Sequence, residues 1–210
     1  MKQKPQVDKE HYRFSSYYSL GRWASLWHQL EEMHQLGPDR VLEVGPGKGL
    51  FKLAAGSFGL AVDTVDVAAD LQPDYLAPAT ALPCDDDSYD CVCAFQVLEH
   101  LPYEESLRAF REMLRVAKRW IVISLPDYRP VWQYRIHIPG VGAIEKQFHK
   151  PFWRPSVHPF NGEHYWVVNA KGYGLSKIIH DLTQGEVALQ RTYRVDAFPV
   201  HRFFVFRKAT

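Results

Sequence analysis

The chain reads as an α/β protein built around a mostly parallel sheet, and three observations predict it. First, the apolar run Val41-Leu42-Glu43-Val44 ends in the bend Gly45-Pro46-Gly47-Lys48-Gly49 and resumes as Leu50-Phe51-Lys52-Leu53-Ala54-Ala55. That is the pattern of a buried strand, a tight turn and a helix start. Second, the run Leu60 to Val67 reads as another strand, and its acid Asp66 lies 21 residues beyond Gly45. Third, strand-like and helix-like stretches alternate as far as about residue 125, the signature of a parallel sheet with helical crossovers.

The bend is built for a nucleotide-type ligand, because glycines at 45, 47 and 49 let the ligand lie on the main chain with helix N–H groups aimed at it. A dinucleotide fingerprint would place its third glycine at 50, where this chain has Leu50. A triphosphate loop needs Gly-Lys followed by Ser or Thr, and Lys48 is followed by Gly49-Leu50. Both are disfavoured. Asp66 stands at the distance expected of a carboxylate that grips ribose hydroxyls and repels a 2′-phosphate.

Four motifs in order then resemble the class I S-adenosylmethionine-dependent methyltransferases. They are Glu43-Val44-Gly45-Pro46-Gly47-Lys48-Gly49, Asp66, the stretch Ala81-Leu82-Pro83 with Asp85-Asp86-Asp87-Ser88-Tyr89-Asp90, and Val97-Leu98-Glu99-His100-Leu101. The resemblance implies a three-layer Rossmann-like methyltransferase fold with a seven-stranded sheet, mostly parallel, whose last strand is antiparallel. It also implies S-adenosylmethionine as methyl donor, held by Glu43, Gly45, Pro46, Gly47, Gly49, Asp66, Val67, Leu82, Phe95 and Gln96. Phe95 and Gln96 are expected at the methionine end. Pro78 stands where many relatives carry an acid that contacts adenine, so the Leu82 backbone or Thr80 is the expected substitute.

Taken in order, apolar positions 23, 26, 27, 30 and 33 recur at helical spacing and predict a leading helical segment over about 15–36, stopped near Gly37-Pro38. Tyr17 and Tyr18 either close over the site or pack locally. A short helix follows from Leu50 to Ala55, then the strand ending at Asp66, then a less regular stretch to Ala79. Cys91-Val92-Cys93-Ala94-Phe95 suits a central strand buried on both faces. Pro102 is placed as a first helical residue, with Leu107, Phe110, Leu114 and Ala117 on one face and Glu104 paired to Arg108. Trp120 to Leu125 is the next strand.

There the alternation stops. Residues 126–162 hold six of the fourteen prolines with interleaved aromatics. So long a loop after a central strand reads as an acceptor-site lid or as a decorated loop with its own aromatic core. Ala170 to Leu182 is expected to be a helix with Leu175, Ile178 and Ile179 inward. Glu186–Val195 and His201–Arg207 are expected to be closing strands, joined through residues 196–199.

At 210 residues, 46% hydrophobic and 23% charged, the chain is expected to be one globular domain. Met1 to Gln6 lacks the apolar core of a signal peptide and no run approaches a membrane span, which predicts a cytoplasmic protein. Three cysteines, Cys84, Cys91 and Cys93, read as packing residues rather than a zinc site. The net charge of +1 hides an asymmetry: residues 1–118 carry 12 Lys and Arg against 18 Asp and Glu, and residues 119–210 carry 13 against 6. The basic part is either solvated by chance or meets an anionic acceptor.

A sulfonium methyl is already electrophilic, so the enzyme must chiefly align an acceptor and exclude water, and only a hydroxyl acceptor needs a base. His100 is the first candidate base, with Glu99 orienting it, and His164 the second; each is alternatively a structural residue. Relatives with an E-x-x-E-H motif bind a divalent ion there. Here Gln96 replaces the first acid, so no metal is expected. The expected acceptor is a hydroxyl or amine of a small or carrier-linked molecule, such as a cell-surface sugar or lipid precursor. An RNA methyltransferase and a non-catalytic S-adenosylmethionine-binding protein are the alternatives, and near-neutral charge without an appended RNA module argues against nucleic acid.

Overall fold

The computed structural model describes residues 19–209, apart from the side chains of Arg135 and Glu145; Tyr17 and Tyr18 lie outside that range. Its sheet has seven strands: β1 (Arg40–Val44), β2 (Ala61–Asp66), β3 (Tyr75–Leu76), β4 (Tyr89–Phe95), β5 (Ala117–Pro126), β8 (Val187–Val195) and β9 (Phe198–Lys208). Their order is β3-β2-β1-β4-β5-β9-β8. The first five run parallel, β9 is antiparallel to β5, and β8 is antiparallel to β9. This is the predicted sheet with its antiparallel last strand.

Alternate side chains along each strand serve two cores. Leu42, Val44, Val92, Ile121, Ile123, Phe204 and Phe206 pack on one face with α3 (Tyr103–Val116) and α4 (Leu175–Leu182). Val41, Cys91, Cys93, Val122, Phe203 and Val205 pack on the other with α1 (Leu20–Leu36) and α2 (Leu50–Ser57). Cys91 and Cys93 are fully buried and all three cysteines are free, so they act as packing residues.

Several boundaries move for local reasons. In α1 the buried residues are Ser25, Leu26, Glu32 and Met33, whereas Trp23 and Trp27 are exposed. The apolar periodicity holds at Leu26, Leu30 and Met33, which pack into the core, and fails at Trp23 and Trp27, while two polar residues reach the inner face through dedicated partners. Glu32 accepts from Arg191 and from Tyr193 Oη (2.7 Å), and Ser25 bonds His201. Pro102 is the N-cap of α3 rather than its first residue. Arg108 pairs with Glu105 at 2.9 Å, not with Glu104. The inward face of α3 is Ser106, Ala109, Phe110, Met113 and Val116, and Ala117 already belongs to β5. Helix α4 starts late because Gly172, at φ +89°, and Gly174 interrupt the stretch before it. Phe198 and Pro199 belong to β9, so only residues 196–197 make the last turn.

The largest departure lies in 126–162, which is not a plain loop. It contains an antiparallel hairpin, β6 (Val131–Ile138) and β7 (Gly142–His149), that forms a separate two-stranded sheet. Its aromatics are exposed rather than gathered into a core of their own.

The hairpin is tied to the main sheet at its base by an ionic knot. Asp127, with a fully buried side chain, accepts from Arg202 Nε (2.7 Å), Arg194 Nε (2.9 Å), Asn169 Nδ2 (2.9 Å) and the Arg129 backbone (3.0 Å). Burial alone would raise the Asp127 pKa; the bonds from Arg194, Asn169 and Arg202 outweigh it and hold the carboxyl below its ordinary range.

Candidate active site

The glycine bend joins β1 to α2 at the C-terminal edge of the parallel strands, where open α/β sheets bind ligands. Gly45, Gly47 and Gly49 all have positive φ, at 68°, 54° and 70°. The Gly45 N–H donates to Val65 O at 2.9 Å, and a Cβ on Gly45 would stand 2.6 Å from Val97 Cγ2. Only glycine holds that conformation in that space.

Above the bend opens a cleft. Glu43, Gly45, Pro46, Gly47, Phe95 and Gln96, all predicted cofactor residues, line it. Phe95 is fixed edge-on against Phe51, with ring centroids 5.2 Å apart. Gln96 sits at the left-handed φ of 58°, its Nε2 donating to Ser124 Oγ at 3.2 Å. A non-glycine residue held there marks a site that tolerates strain. Glu43 is buried and its Oε2 has no hydrogen-bond partner; burial pushes its pKa up to about 8.

Gly49, Asp66, Val67 and Leu82 lie outside this lining. Gly49 is the N-cap of α2. Asp66 ends β2, and its Oδ1 accepts from the Ala68 N–H at 2.8 Å; burial raises its pKa while the Ala68 and Val67 amides oppose the rise. Leu82 lies just before the acidic turn Asp85-Asp86-Asp87. Its N–H donates to Glu112 (2.9 Å) and its carbonyl accepts from Arg115 (3.0 Å), so its backbone is already engaged and its side chain buried.

The opposite wall comes from α1, through Arg22, Trp23, Ser25, Leu26 and Gln29, and from His201 of β9. Trp23 and Leu26 were marked in the sequence as helix positions, whereas Arg22, Ser25 and Gln29 were not. Their only signal was the 22-25-26-29 spacing of one helical face. His201 shares a 2.8 Å hydrogen bond with Ser25 Oγ, and burial drives its pKa down to about 3, so the ring is neutral.

The three predicted catalytic residues converge. Glu99 and His100 lie on a 3₁₀ turn after β4, and His164 comes from a segment 64 residues later. The Tyr165 N–H donates to Glu99 O (2.9 Å) and Trp166 Nε1 donates to Leu101 O (3.2 Å), stitching the segments together. The His100 and His164 rings meet edge to face at 4.8 Å. His100 Nδ1 lies 3.1 Å from Glu163 O, an acceptor that assigns the proton to Nδ1 and the lone pair to Nε2. Neither Glu99 carboxylate oxygen has a hydrogen-bond partner, and burial pushes its pKa up to about 8. Burial lowers the His164 pKa and so favours a neutral ring. Arg22 of the cleft lies within electrostatic reach of Glu99, His164 and His201, which makes the trio and the cleft neighbours.

The trio also changes the metal question. Among the described residues, Glu99, His100 and His164 are the one group whose ligand atoms gather, all within 4.8 Å of one another. The expectation of no metal rested on Gln96 replacing an acid, and Gln96 does turn away to Ser124. His164 supplies a third donor that spacing along the chain could not reveal.

A family model described as a methyltransferase domain matches residues 10–175. With the sheet order above, that decides the family. The chain belongs to the class I methyltransferases. Solved structures share the fold at low identity. The PH0226 protein of Pyrococcus horikoshii OT3 has a TM-score of 0.62 at 15% identity, over 96% of this chain and 99% of its own. Magnesium protoporphyrin IX methyltransferase of Synechocystis PCC 6803, solved with bound S-adenosylmethionine, gives 0.60 at 15%, over 96% and 90%. The 1,6-didemethyltoxoflavin-N1-methyltransferase of Burkholderia thailandensis, solved with S-adenosylhomocysteine and 1,6-didemethyltoxoflavin, gives 0.58 at 15%, over 99% and 93%. A search of curated proteins returned no match. No helix among the described residues is long and apolar enough to cross a membrane.

Proposed function

We propose that this methyltransferase uses S-adenosylmethionine to methylate a hydroxyl of a small or carrier-linked acceptor, with His100 as general base. The observation that carries the reading is the Glu99–His100–His164 group beside the glycine-lined cleft. When bound, the donor supplies a methyl carbon on a sulfonium, which leaves as S-adenosylhomocysteine. What supports the donor in this cleft is the glycine bend, with its positive φ angles, and the orphaned oxygen of buried Glu43 in the lining, which suits a cationic ligand.

His100 takes the acceptor proton on Nε2, with Nδ1–H held on the Glu163 carbonyl. His164, whose pKa burial lowers, leaves the base uncontested by a second positive ring. The acceptor oxygen attacks the methyl carbon as the carbon–sulfur bond breaks. An amine acceptor would need no such group.

The test measures S-adenosylhomocysteine formation over matched hydroxyl and amine acceptors, together with donor affinity. His100→Asn should lower kcat by about 10²–10⁴-fold and leave the donor Kd unchanged. Equal turnover by wild type and variant on every acceptor used would defeat the base assignment.

A second reading is favoured by the orphaned Glu99 oxygens. Two imidazoles and one carboxylate suit manganese, iron or zinc better than magnesium, and the ion would supply Lewis-acid activation of the acceptor oxygen. Glu99→Gln abolishing calorimetric Mn²⁺ or Zn²⁺ binding would support it, and no binding by wild type would remove it.

A further inference from the structure

We propose that the β6–β7 hairpin is a membrane-docking arm that seats this enzyme on anionic phospholipid. The inference is independent of the acceptor chemistry. Directly opposed residues of an antiparallel pair share a face, and the register pairs Trp132 with Phe148, Tyr134 with Lys146 and Ile136 with Ile144. Trp132, Tyr134, Ile136, Ile138, Ile144 and Phe148 therefore form one face, 39–56% exposed.

The other face carries Gln133 and Gln147, whose side-chain amides both donate to the Asp196 carbonyl in the turn between β8 and β9. The arm thus tethers its polar side to the domain and turns its apolar side outward. That is the reverse of a sheet in water, where the apolar face covers the core.

Charge selects the occupant. The tip from Ile136 to Ile144 carries no acid, lysine or arginine, and Val141 at its end is 72% exposed. Behind the tip, residues 128–160 hold five Lys and Arg against one acid, and Lys146, Lys150 and Arg154 are exposed. Trp and Tyr between an uncharged tip and a cationic base are the arrangement of a surface that enters the headgroup layer and holds anionic lipid. A second copy of the chain would meet the same positive base on its own arm. Because β6 follows the C-terminal end of β5, docking brings the cleft-bearing edge of the sheet toward the bilayer.

The experiment is flotation of the full chain with phosphatidylcholine vesicles, alone or with about a third phosphatidylglycerol. Binding should require the anionic lipid and weaken with salt. Val141→Asp should abolish it, and Lys146→Gln and Lys150→Gln should each weaken it about fivefold, with melting temperatures unchanged. Failure of wild type to float with anionic vesicles, or undiminished flotation of Val141→Asp, would overturn the proposal. So would a concentration-dependent dimer, lost in Val141→Asp, from a chain that does not float; the face would then belong to a second copy.

Discussion

The two parts of this chain are held together by different physics. From β1 to β5, residues that point into the two cores are almost all apolar, and the strands are short uninterrupted runs. Over residues 127–164 the order depends on polar anchors: Asp127 between two arginines, Gln133 and Gln147 on one carbonyl, Asn161 accepting from the backbone of His164 (2.8 Å). The first part is cohesive wherever it is touched. The second is decided at a few points.

The largest effect that would break this contrast is at Asp127. Asp127→Asn leaves Arg194 and Arg202, with side chains 5% and 10% exposed, without a counter-charge. Urea denaturation should show a loss of about 3–5 kcal/mol, against about 1 kcal/mol for Ile123→Val in β5. Similar losses at both positions would erase the distinction. Because the Asp127 pKa is depressed, its contribution is present above the ordinary carboxylate value and disappears as pH falls through the folded value.

The next effect falls on binding. Gly45→Ala meets Val97 Cγ2 at 2.6 Å and adds about 1–2 kcal/mol of left-handed strain, so calorimetry should find donor affinity lost. Adding Val97→Ala restores the space but not the torsion, and should recover only part of it. Asp66→Ala should weaken the donor by about 1.5–3 kcal/mol, the range for hydrogen bonds to a charged group. A smaller effect concerns protons. Glu43 is protonated in the free protein below about 8, and the cationic donor favours its carboxylate. Affinity should fall as pH drops below that value, by at most about tenfold per unit. Proton release on binding, seen by titration in buffers of different ionisation heat, should vanish in Glu43→Gln.

Legibility follows the same division. The parallel strands were visible because a strand buried on both faces writes itself as a continuous apolar run, and the bend because positive φ leaves glycine at 45, 47 and 49. The hairpin was hidden: prolines at 130, 139 and 151 flank or punctuate it, and its exposed aromatics look like loop decoration. His164 was named without its neighbours, since nothing in the spacing says that Tyr165 will hydrogen-bond Glu99. The polar part of the cleft wall from α1 was missed for a related reason. Ser25 and Glu32 face inward for partners more than 150 residues away, and apolar periodicity cannot register a polar residue that long-range bonding buries.

Those long-range bonds bear on the order of biosynthesis. Gly21 lies against Phe198 so closely that a Cβ there would stand 2.3 Å from Cδ2, Ser25 bonds His201, and Glu32 waits for Arg191 and Tyr193. The helix that walls the cleft is among the first described elements to leave the ribosome, yet the strands that seat it follow more than 150 residues later. A nascent chain arrested before residue 201 therefore has its glycine bend but lacks His201, the β9 residue that lines the cleft and holds Ser25 of the helix.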